Sequence, residues 1–128
     1  MNYGLLFVVF GFVGWSIDTA YRSVLAKKYA HGTYIPFFAV SYGIGGSALV
    51  VLFQNLQAPA IVHIILGTIL VTLIEFVAGI FCVAVLKRRL WDYSKNKLNF
   101  MGHIDALHAI YWLLLTALFW LVFPYFLS

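Results

Sequence analysis

The amino-acid sequence places one acidic residue, Glu75, deep inside a long apolar segment. Ile74 and Phe76 flank it, and a carboxylate at the centre of a membrane helix costs about 2.5–3.5 kcal/mol. Two interpretations stay open, because either a function or a hydrogen-bonding partner must offset this cost. One is a substrate, ion or proton site inside a helix bundle, and the other is a hydrogen-bonded carboxyl that holds two helices together. Helical spacing puts Glu75 on one face with the small or polar residues Thr68, Thr72, Gly79 and Cys82.

Asp18 is a second acid within an apolar segment. Arg22 follows four residues later, which places both side chains on one helical face within reach of an ion pair. Structural pairing is therefore the favoured interpretation of these two residues. The other interpretation puts Asp18 together with Glu75 and Thr72 on a path for a substrate or an ion.

Small residues recur in the apolar segment that lies between the two acids in the sequence. Ala39, Gly43 and Ser47 are spaced by four, a pattern that lets two membrane helices pack closely. Helix packing is the favoured interpretation. The alternative is a substrate path lined by Tyr42, Gly43 and the backbone around Gly45.

The connection before the last apolar segment is rich in aromatic and hydrogen-bonding side chains. This density predicts an ordered loop that covers one mouth of the bundle and acts as a gate. Asp105 and His108 follow at a spacing of three, yet together with His103 they match no strong metal-ligand motif. We therefore expect no metal and no cofactor, and we expect these three side chains to cap or hydrogen-bond helices. The loop residues are Trp91, Asp92, Tyr93, Ser94, Asn99, Gly102 and His103.

The elements that must position all these residues are membrane helices. Of the 128 residues, 64% are hydrophobic and only 9% are charged, and the mean hydropathy is +0.98. A soluble domain carries about 25% charged residues, so soluble classes are excluded. Because about 20 apolar residues cross a bilayer, the chain is predicted to be an all-α integral membrane protein with a single four-helix transmembrane domain over residues 1–128. The predicted spans are residues 3–21, 34–53, 60–86 and 104–127.

Basic residues occupy only two of the connections between the predicted spans. Lys and Arg are retained on the cytoplasmic side of a membrane, so both basic connections are predicted to be cytoplasmic. The two termini and the turn over residues 54–59 then lie outside, and the spans form two hairpins. Because topology accounts for the pI of 9.3, the charge does not indicate nucleic-acid binding. The basic residues are Arg22, Lys27, Lys28, Lys87, Arg88, Arg89, Lys95 and Lys97.

Several short motifs are spread over nearly the whole chain. They are Gly-Trp-Ser-Ile-Asp at 14–18, Tyr-Arg-Ser at 21–23, His-Gly at 31–32, Tyr-Gly-Ile-Gly at 42–45, Glu-Phe at 75–76, Trp-Asp-Tyr-Ser at 91–94 and Asn-Phe-Met-Gly-His-Ile at 99–104. Together they resemble the ABC-transporter permease family of the CmpB type. The resemblance implies a small multi-pass protein of the bacterial cytoplasmic membrane with a role in transport.

The chain departs from the pattern of that family at several positions. Asp18 stands where a glutamate is usual, and Val40 replaces a proline. His31 and His103 stand where arginines are usual, which lowers the fixed positive charge at the inner mouth. The resemblance therefore gives weaker support here to any anion-binding role.

Three functions are compatible with these residues. The leading hypothesis is a permease-like or channel-like protein, expected to form a homo-oligomer, that moves a small solute or ion along a polar path lined by Asp18 and Glu75. The alternative is a noncatalytic assembly or regulatory subunit of the membrane that docks a partner protein. A lipid-modifying enzyme ranks third, and the lack of nucleotide-binding and hydrolase motifs favours a non-enzyme. An ATPase partner would have to be a separate chain, and another membrane subunit is a further possible partner.

Overall fold

The computed structural model describes residues 2–31 and 37–126, and most of them form helices. Within these residues four α-helices follow one another, with a short strand hairpin before the last helix and a 3-10 turn after it. The helices are α1 (Tyr3–Ala26), α2 (Val40–Asn55), α3 (Ala60–Ala84) and α4 (Ala106–Val122), the strands are β1 (Asn99–Phe100) and β2 (Ile104–Asp105), and the 3-10 turn is Phe123–Phe126.

Three helical segments among the described residues are long and apolar enough to cross a membrane: Tyr3–Ala26, Ala60–Ala84 and Ala106–Tyr125. The chain is therefore a multi-pass membrane protein. Helix α2 has only 16 residues, fewer than the ~20 that a perpendicular crossing requires. The second predicted span, residues 34–53, therefore stays a prediction. Its first three residues lie outside the described part of the chain, as does Leu127, the predicted end of the last span.

Helix α1 runs five residues beyond its predicted end at Tyr21. The apolar pattern stops at Arg22, but this side chain pairs with Asp18 at 2.7 Å and so extends the helix by an i,i+4 ion pair. The helix ends at Lys27, whose left-handed φ of 57° turns its N–H back toward the carbonyls of Ser23 and Val24. A change in polarity along the sequence therefore did not mark the helix end.

The prediction of an all-α fold is wrong in one detail, because a two-stranded antiparallel hairpin precedes α4. Asn99 pairs with Asp105 and Phe100 with Ile104. Met101 at φ 58° and Gly102 at φ 73° reverse the chain between the strands. Strands of two residues show no alternating pattern, so sequence periodicity could not reveal them. Helix α4 consequently begins two residues later than predicted.

The helices form two antiparallel pairs. In the first pair the Tyr3 hydroxyl donates to Gln54 Oε1 at 2.9 Å, which joins the start of α1 to the end of α2. A methyl group at Gly43 would overlap the Phe7 backbone carbonyl, so the small-residue pattern of α2 serves close helix packing. In the second pair α3 packs against α4, and α2 also packs against α3.

The apolar core lies toward the connection between α2 and α3, residues 56–59. We name this end of the bundle the turn end and the opposite end, which carries residues 85–105, the loop end. At the turn end the ring of Phe53 contacts the rings of His63 and Trp120 at centroid distances of 5.7 and 5.1 Å. His63 is buried, and its ring nitrogens lie 2.8 Å from the Leu56 carbonyl oxygen and 3.2 Å from that of Pro59.

Candidate functional site

A half-open cavity of about 1640 Å³ lies between the helices at the loop end. All four helices and the 85–105 loop contribute to its wall, which is mainly apolar. We call it the loop-end cavity. It brings both membrane acids into one space. The polar side chains of its wall are Asp18, Tyr21, Arg22, His31, Ser41, Tyr42, Glu75, Trp91, Asp92, Tyr93, Asn96, His108, Tyr111 and Trp112.

Glu75 joins three elements at this cavity. The Tyr93 hydroxyl of the loop donates to Glu75 Oε2 at 3.1 Å, and the indole N–H of Trp112 in α4 donates to Oε1 at 3.2 Å. Both donors are neutral. Within the described part of the chain Glu75 forms no salt bridge. The carboxyl is therefore hydrogen-bonded, and none of the described residues gives it a cationic partner.

Asp18 and Arg22 form an ion pair on the α1 side of the cavity. The Arg22 Nε–H donates to Asp18 Oδ2 at 2.7 Å, with 27% and 21% of the Arg and Asp side chains exposed. The helical spacing of four brings them together, as the sequence predicted. Because the two charges offset one another, this wall presents a dipole to the cavity and little net charge.

Aromatic rings cover much of the remaining wall. The Tyr93 ring stacks on His108 with centroids 3.9 Å apart and planes 10° from parallel. Tyr111 meets the same His108 ring edge-on at 5.4 Å. Across the cavity Tyr42 contacts Trp112 at 5.0 Å. Rings from α2, the loop and α4 thus form part of the wall that also contains Glu75.

Within the 85–105 loop, residues 91–93 are held to the strand hairpin by hydrogen bonds to backbone carbonyls. The indole N–H of Trp91 donates to the His103 carbonyl at 2.9 Å. The backbone N–H of Tyr93 donates to the Gly102 carbonyl at 2.8 Å. The hairpin therefore fixes the backbone of the segment that presents Tyr93 to Glu75. Burial, together with the nearby Glu75, raises the pKa of Tyr93 above its ordinary value, so the phenol stays a hydrogen-bond donor.

Asn99 organises the interior of this loop. Its side-chain N–H groups donate to the carbonyls of Ser94 at 3.2 Å and Asn96 at 2.9 Å. Its side-chain oxygen accepts from the Gly102 N–H at 3.1 Å. Asp92 Oδ1 in turn accepts from the Ser94 N–H at 2.9 Å, and this hydrogen bond lowers the pKa of Asp92. The loop is therefore ordered by its own polar groups, as its composition predicted.

Asp105 connects the loop to α4. Its side chain is 0% exposed, and Oδ1 accepts from the backbone N–H of His108 at 2.8 Å and from the His108 ring at 2.7 Å. Its other oxygen accepts from the side-chain amide of Asn96 at 2.6 Å. Burial opposes ionisation of Asp105, but these hydrogen bonds outweigh it, so the pKa of Asp105 lies below its ordinary value. The carboxylate therefore caps α4 and connects that helix to the loop.

His103 packs on α3 behind the cavity wall. It is 4% exposed, its ring lies edge-on to Phe76 at 5.9 Å, and a methyl group at Gly79 would overlap it. Its Nδ1 is buried and has no hydrogen-bond partner among the described residues. Burial, and next the positive charge of Arg89, lower the pKa of His103. No group of three His, Cys, Asp or Glu side chains in the described part of the chain is close enough to hold a metal.

The structure brings some of the predicted site residues together and separates others. Asp18, Tyr42, Glu75, Trp91, Asp92 and Tyr93 line the loop-end cavity. Ser94, Asn99, Gly102 and His103 lie behind that wall, where they hold the loop in shape. Gly43 packs on α1, Gly45 faces Val71 of α3, and the hydroxyl of Thr72 is buried with no partner among the described residues. These last three residues therefore stand apart from the cavity.

Sequence reasoning missed much of the α4 wall. The sequence indicates His108 as a candidate metal ligand, as a group that caps or hydrogen-bonds helices, and as a residue of a lipid-modifying site, but it does not indicate Tyr111 and Trp112 as site residues. A signal was present, because Asp105, His108 and Tyr111 follow helical spacing of three on one face. Tyr21 and Asn96 also line the cavity, but their spacing from the other members gave no comparable signal.

A comparison with protein families shows which family this chain belongs to. Residues 5–128 match the family described as Putative ABC-transporter type IV. The chain belongs to this family. The match confirms the resemblance to the CmpB type and makes the chain a transporter-like membrane protein in general terms. Comparison with curated proteins and with solved structures finds no match.

Proposed function

We propose that this protein moves a small solute or ion across the membrane through the loop-end cavity. The observation that supports the proposal is the convergence of Asp18 and Glu75 on one cavity, beside a hydrogen-bonded loop. Glu75 is the binding group, because its carboxyl lines the cavity and has neutral donors alone among its described partners. The Asp18–Arg22 pair shapes the opposite wall.

The loop acts as the gate in this proposal. Tyr93 closes the cavity by donating its hydroxyl to Glu75. A solute that binds Glu75 competes with that hydrogen bond, whose net contribution is only about 1 kcal/mol. Binding therefore weakens the contact that holds the loop against α3, and this couples occupancy of the cavity to opening of the loop.

The proposed arrangement in the membrane has four spans. Helix α2 completes the bundle. Both basic connections lie in the cytoplasm of a bacterium, and both termini lie on the outer side of its inner membrane. We further propose that the protein forms a homo-oligomer and works with a separate ATPase or another membrane subunit. Single cysteines introduced at Gln57 and at Lys95, both exposed, test the orientation in a Cys82→Ser background. An impermeant maleimide added to intact cells should label position 57 and spare position 95.

Flux into proteoliposomes tests the transport proposal directly. Wild-type protein should carry at least one member of a panel of labelled cations, anions and neutral solutes. Glu75→Gln should lower that flux roughly tenfold, the effect of losing one charge-assisted contact. Tyr29→Phe, at an exposed position outside the cavity, controls for reconstitution. Flux that survives both Glu75→Gln and Asp18→Asn would contradict the proposal.

A second function, a noncatalytic assembly subunit, is favoured by the same Glu75 contacts. The carboxyl ties the loop to α3 and α4 through Tyr93 and Trp112, which is what a purely structural joint would do. This alternative expects no flux from wild-type protein. It also expects Glu75→Gln to loosen the loop and to weaken capture of a partner chain, which affinity purification from membranes would measure.

A further inference from the structure

The wall of the loop-end cavity indicates which class of solute it takes. We propose that the cavity binds an organic monocation, an amine or quaternary ammonium compound with an apolar body. This inference rests on the proposed function for its biological meaning, but the binding itself is measured without transport. Charge, ring geometry and the rest of the wall each support it.

Among the described residues, the charges of the wall leave Glu75 without an opposite charge. Asp18 is paired with Arg22 at 2.7 Å, and Asp92 lies 3.6 Å from Arg89. Glu75 has hydrogen bonds from neutral donors and no salt bridge within the described residues. A cation that enters supplies the missing charge and favours the ionised carboxylate. An anion would meet Glu75 without compensation, because Arg22 is already engaged.

The rings beside Glu75 are suited to an ammonium group. Tyr93 and Trp112 touch the carboxyl through hydrogen bonds, and Tyr42 packs on Trp112 with centroids 5.0 Å apart. Tyrosine and tryptophan faces attract cations by about 0.5–1 kcal/mol at exposed sites and by about 2 kcal/mol where water is excluded. A quaternary ammonium group cannot donate a hydrogen bond, so it gains from these faces without needing more polar partners.

The rest of the wall favours an organic ion over an inorganic one. Leu70, Leu73 and Leu115 contribute to a lining that is mainly apolar. A metal ion needs several oxygen, nitrogen or sulfur ligands, and the described residues hold no group of three acidic, His or Cys side chains that could supply them. The cavity volume of about 1640 Å³ leaves ample room for a solute with an aromatic or aliphatic body.

Equilibrium dialysis of the full-length protein in nonionic maltoside micelles tests the inference. The probe is radiolabelled benzyltrimethylammonium, and the matched anion is phenylmethanesulfonate, which has a similar shape. We expect saturable binding of the cation at least ~10-fold tighter than binding of the anion, as one opposite charge and several ring faces predict. Glu75→Gln should weaken cation binding roughly tenfold and leave anion binding no weaker.

A second pair of variants keeps the test decisive if Glu75→Gln does not fold. Tyr42→Leu should weaken cation binding about fivefold through the lost ring face, and Tyr42→Phe should recover most of that loss. Tyr29→Leu removes an exposed ring outside the cavity and should bind like wild type. Equal binding of the two ions, or equal effects of Tyr42→Leu and Tyr29→Leu, would overturn the inference.

The outcomes also separate this inference from the transport proposal. Saturable cation binding without flux in proteoliposomes upholds the ligand class and contradicts transport. Flux of another solute, with no benzyltrimethylammonium binding by the same preparation, upholds transport and overturns the ligand class.

Discussion

The two ends of the bundle are held together by different forces. At the turn end, Phe53 is 5% exposed and packs among the rings of His63 and Trp120. At the loop end, a cavity separates the helices, and Glu75 and Asp105 hold the structure through hydrogen bonds. A closely packed ring cannot change its contacts without disturbing its neighbours. A hydrogen bond, in contrast, is easily replaced by a hydrogen bond to a solute or to water. We therefore infer that the turn end is the fixed part of the molecule and that the loop end is the part that can move.

The largest effect is expected from Asp105→Ala, a substitution at the loop end. The change removes the cap of α4 and leaves the side chains of Asn96 and His108 without their acceptor, at a cost of about 3 kcal/mol. Hydrogen exchange over residues 88–104 should rise strongly, while exchange at the turn end stays slow. Asp92→Ala removes a half-exposed carboxylate from the same loop and should have a much smaller effect. Equal effects of the two changes would show that Asp105 has no special role in holding the loop end together.

Phe53→Ala, which attacks the turn end, comes next. Phe→Ala costs about 3–5 kcal/mol in soluble cores, but lipid replaces water here, so mainly the lost packing contributes and we expect about 2 kcal/mol. Reversible unfolding in mixed micelles measures it. Phe12→Ala, at a ring that is 54% exposed, is the matched control. If Phe53→Ala opened only the loop, the turn end would not be the fixed part.

Tyr93→Phe tests one hydrogen bond of the loop end by removing a single oxygen atom. It removes the hydroxyl that donates to Glu75 at 3.1 Å and keeps the ring that stacks on His108. The loss should destabilise loop docking by about 1 kcal/mol without changing the unfolding of the bundle. Exchange of the loop amides reports it, with Tyr29→Phe as control. Unchanged exchange would show that the Tyr93–Glu75 contact does not hold the loop.

The smallest expected effect is a pH dependence from His103. Its pKa is lower in the folded protein than in the unfolded chain, so its contribution is complete above the ordinary value of about 6.5 and is lost as the pH falls through the folded pKa. The protection factors of the loop amides, which correct for the intrinsic pH dependence of amide exchange, should therefore fall a few-fold between pH 8 and pH 5. His103→Gln should remove this dependence and His31→Gln should not. The depressed pKa of Asp105 acts separately, because its contribution is lost only below about pH 4.

Much of the fold was predictable because membranes impose simple rules. Three of the predicted spans correspond to helices of sufficient length and apolarity, and the i,i+4 spacing of Asp18 and Arg22 predicted their contact. The strand hairpin was not predictable, since two residues per strand leave no pattern. Neither was the late start of α2 at Val40, because apolar residues continue on both sides of that boundary.

The site was only partly predictable, because it depends on tertiary contacts between distant parts of the chain. The cost of a carboxylate in an apolar segment indicated Glu75 as a candidate, and loop composition indicated Tyr93. No sequence rule, however, says that Trp112 lies opposite Glu75, because their contact spans 37 positions and depends on how α3 and α4 align. For the same reason Gly43 and Gly45 were grouped with the acids, although they serve helix contacts elsewhere.

The short second helix has a consequence for the lipid around the protein. Sixteen residues at 1.5 Å each span about 24 Å, against a hydrocarbon thickness of about 30 Å. In the proposed four-span arrangement we expect the bilayer to thin beside α2, at a cost of fractions of a kcal/mol per ångström. Helix α2 also contributes Tyr42 to the cavity wall. Acyl-chain length thereby becomes a control on the protein: thin bilayers relieve the mismatch, and thick bilayers strain the wall on which the solute binds.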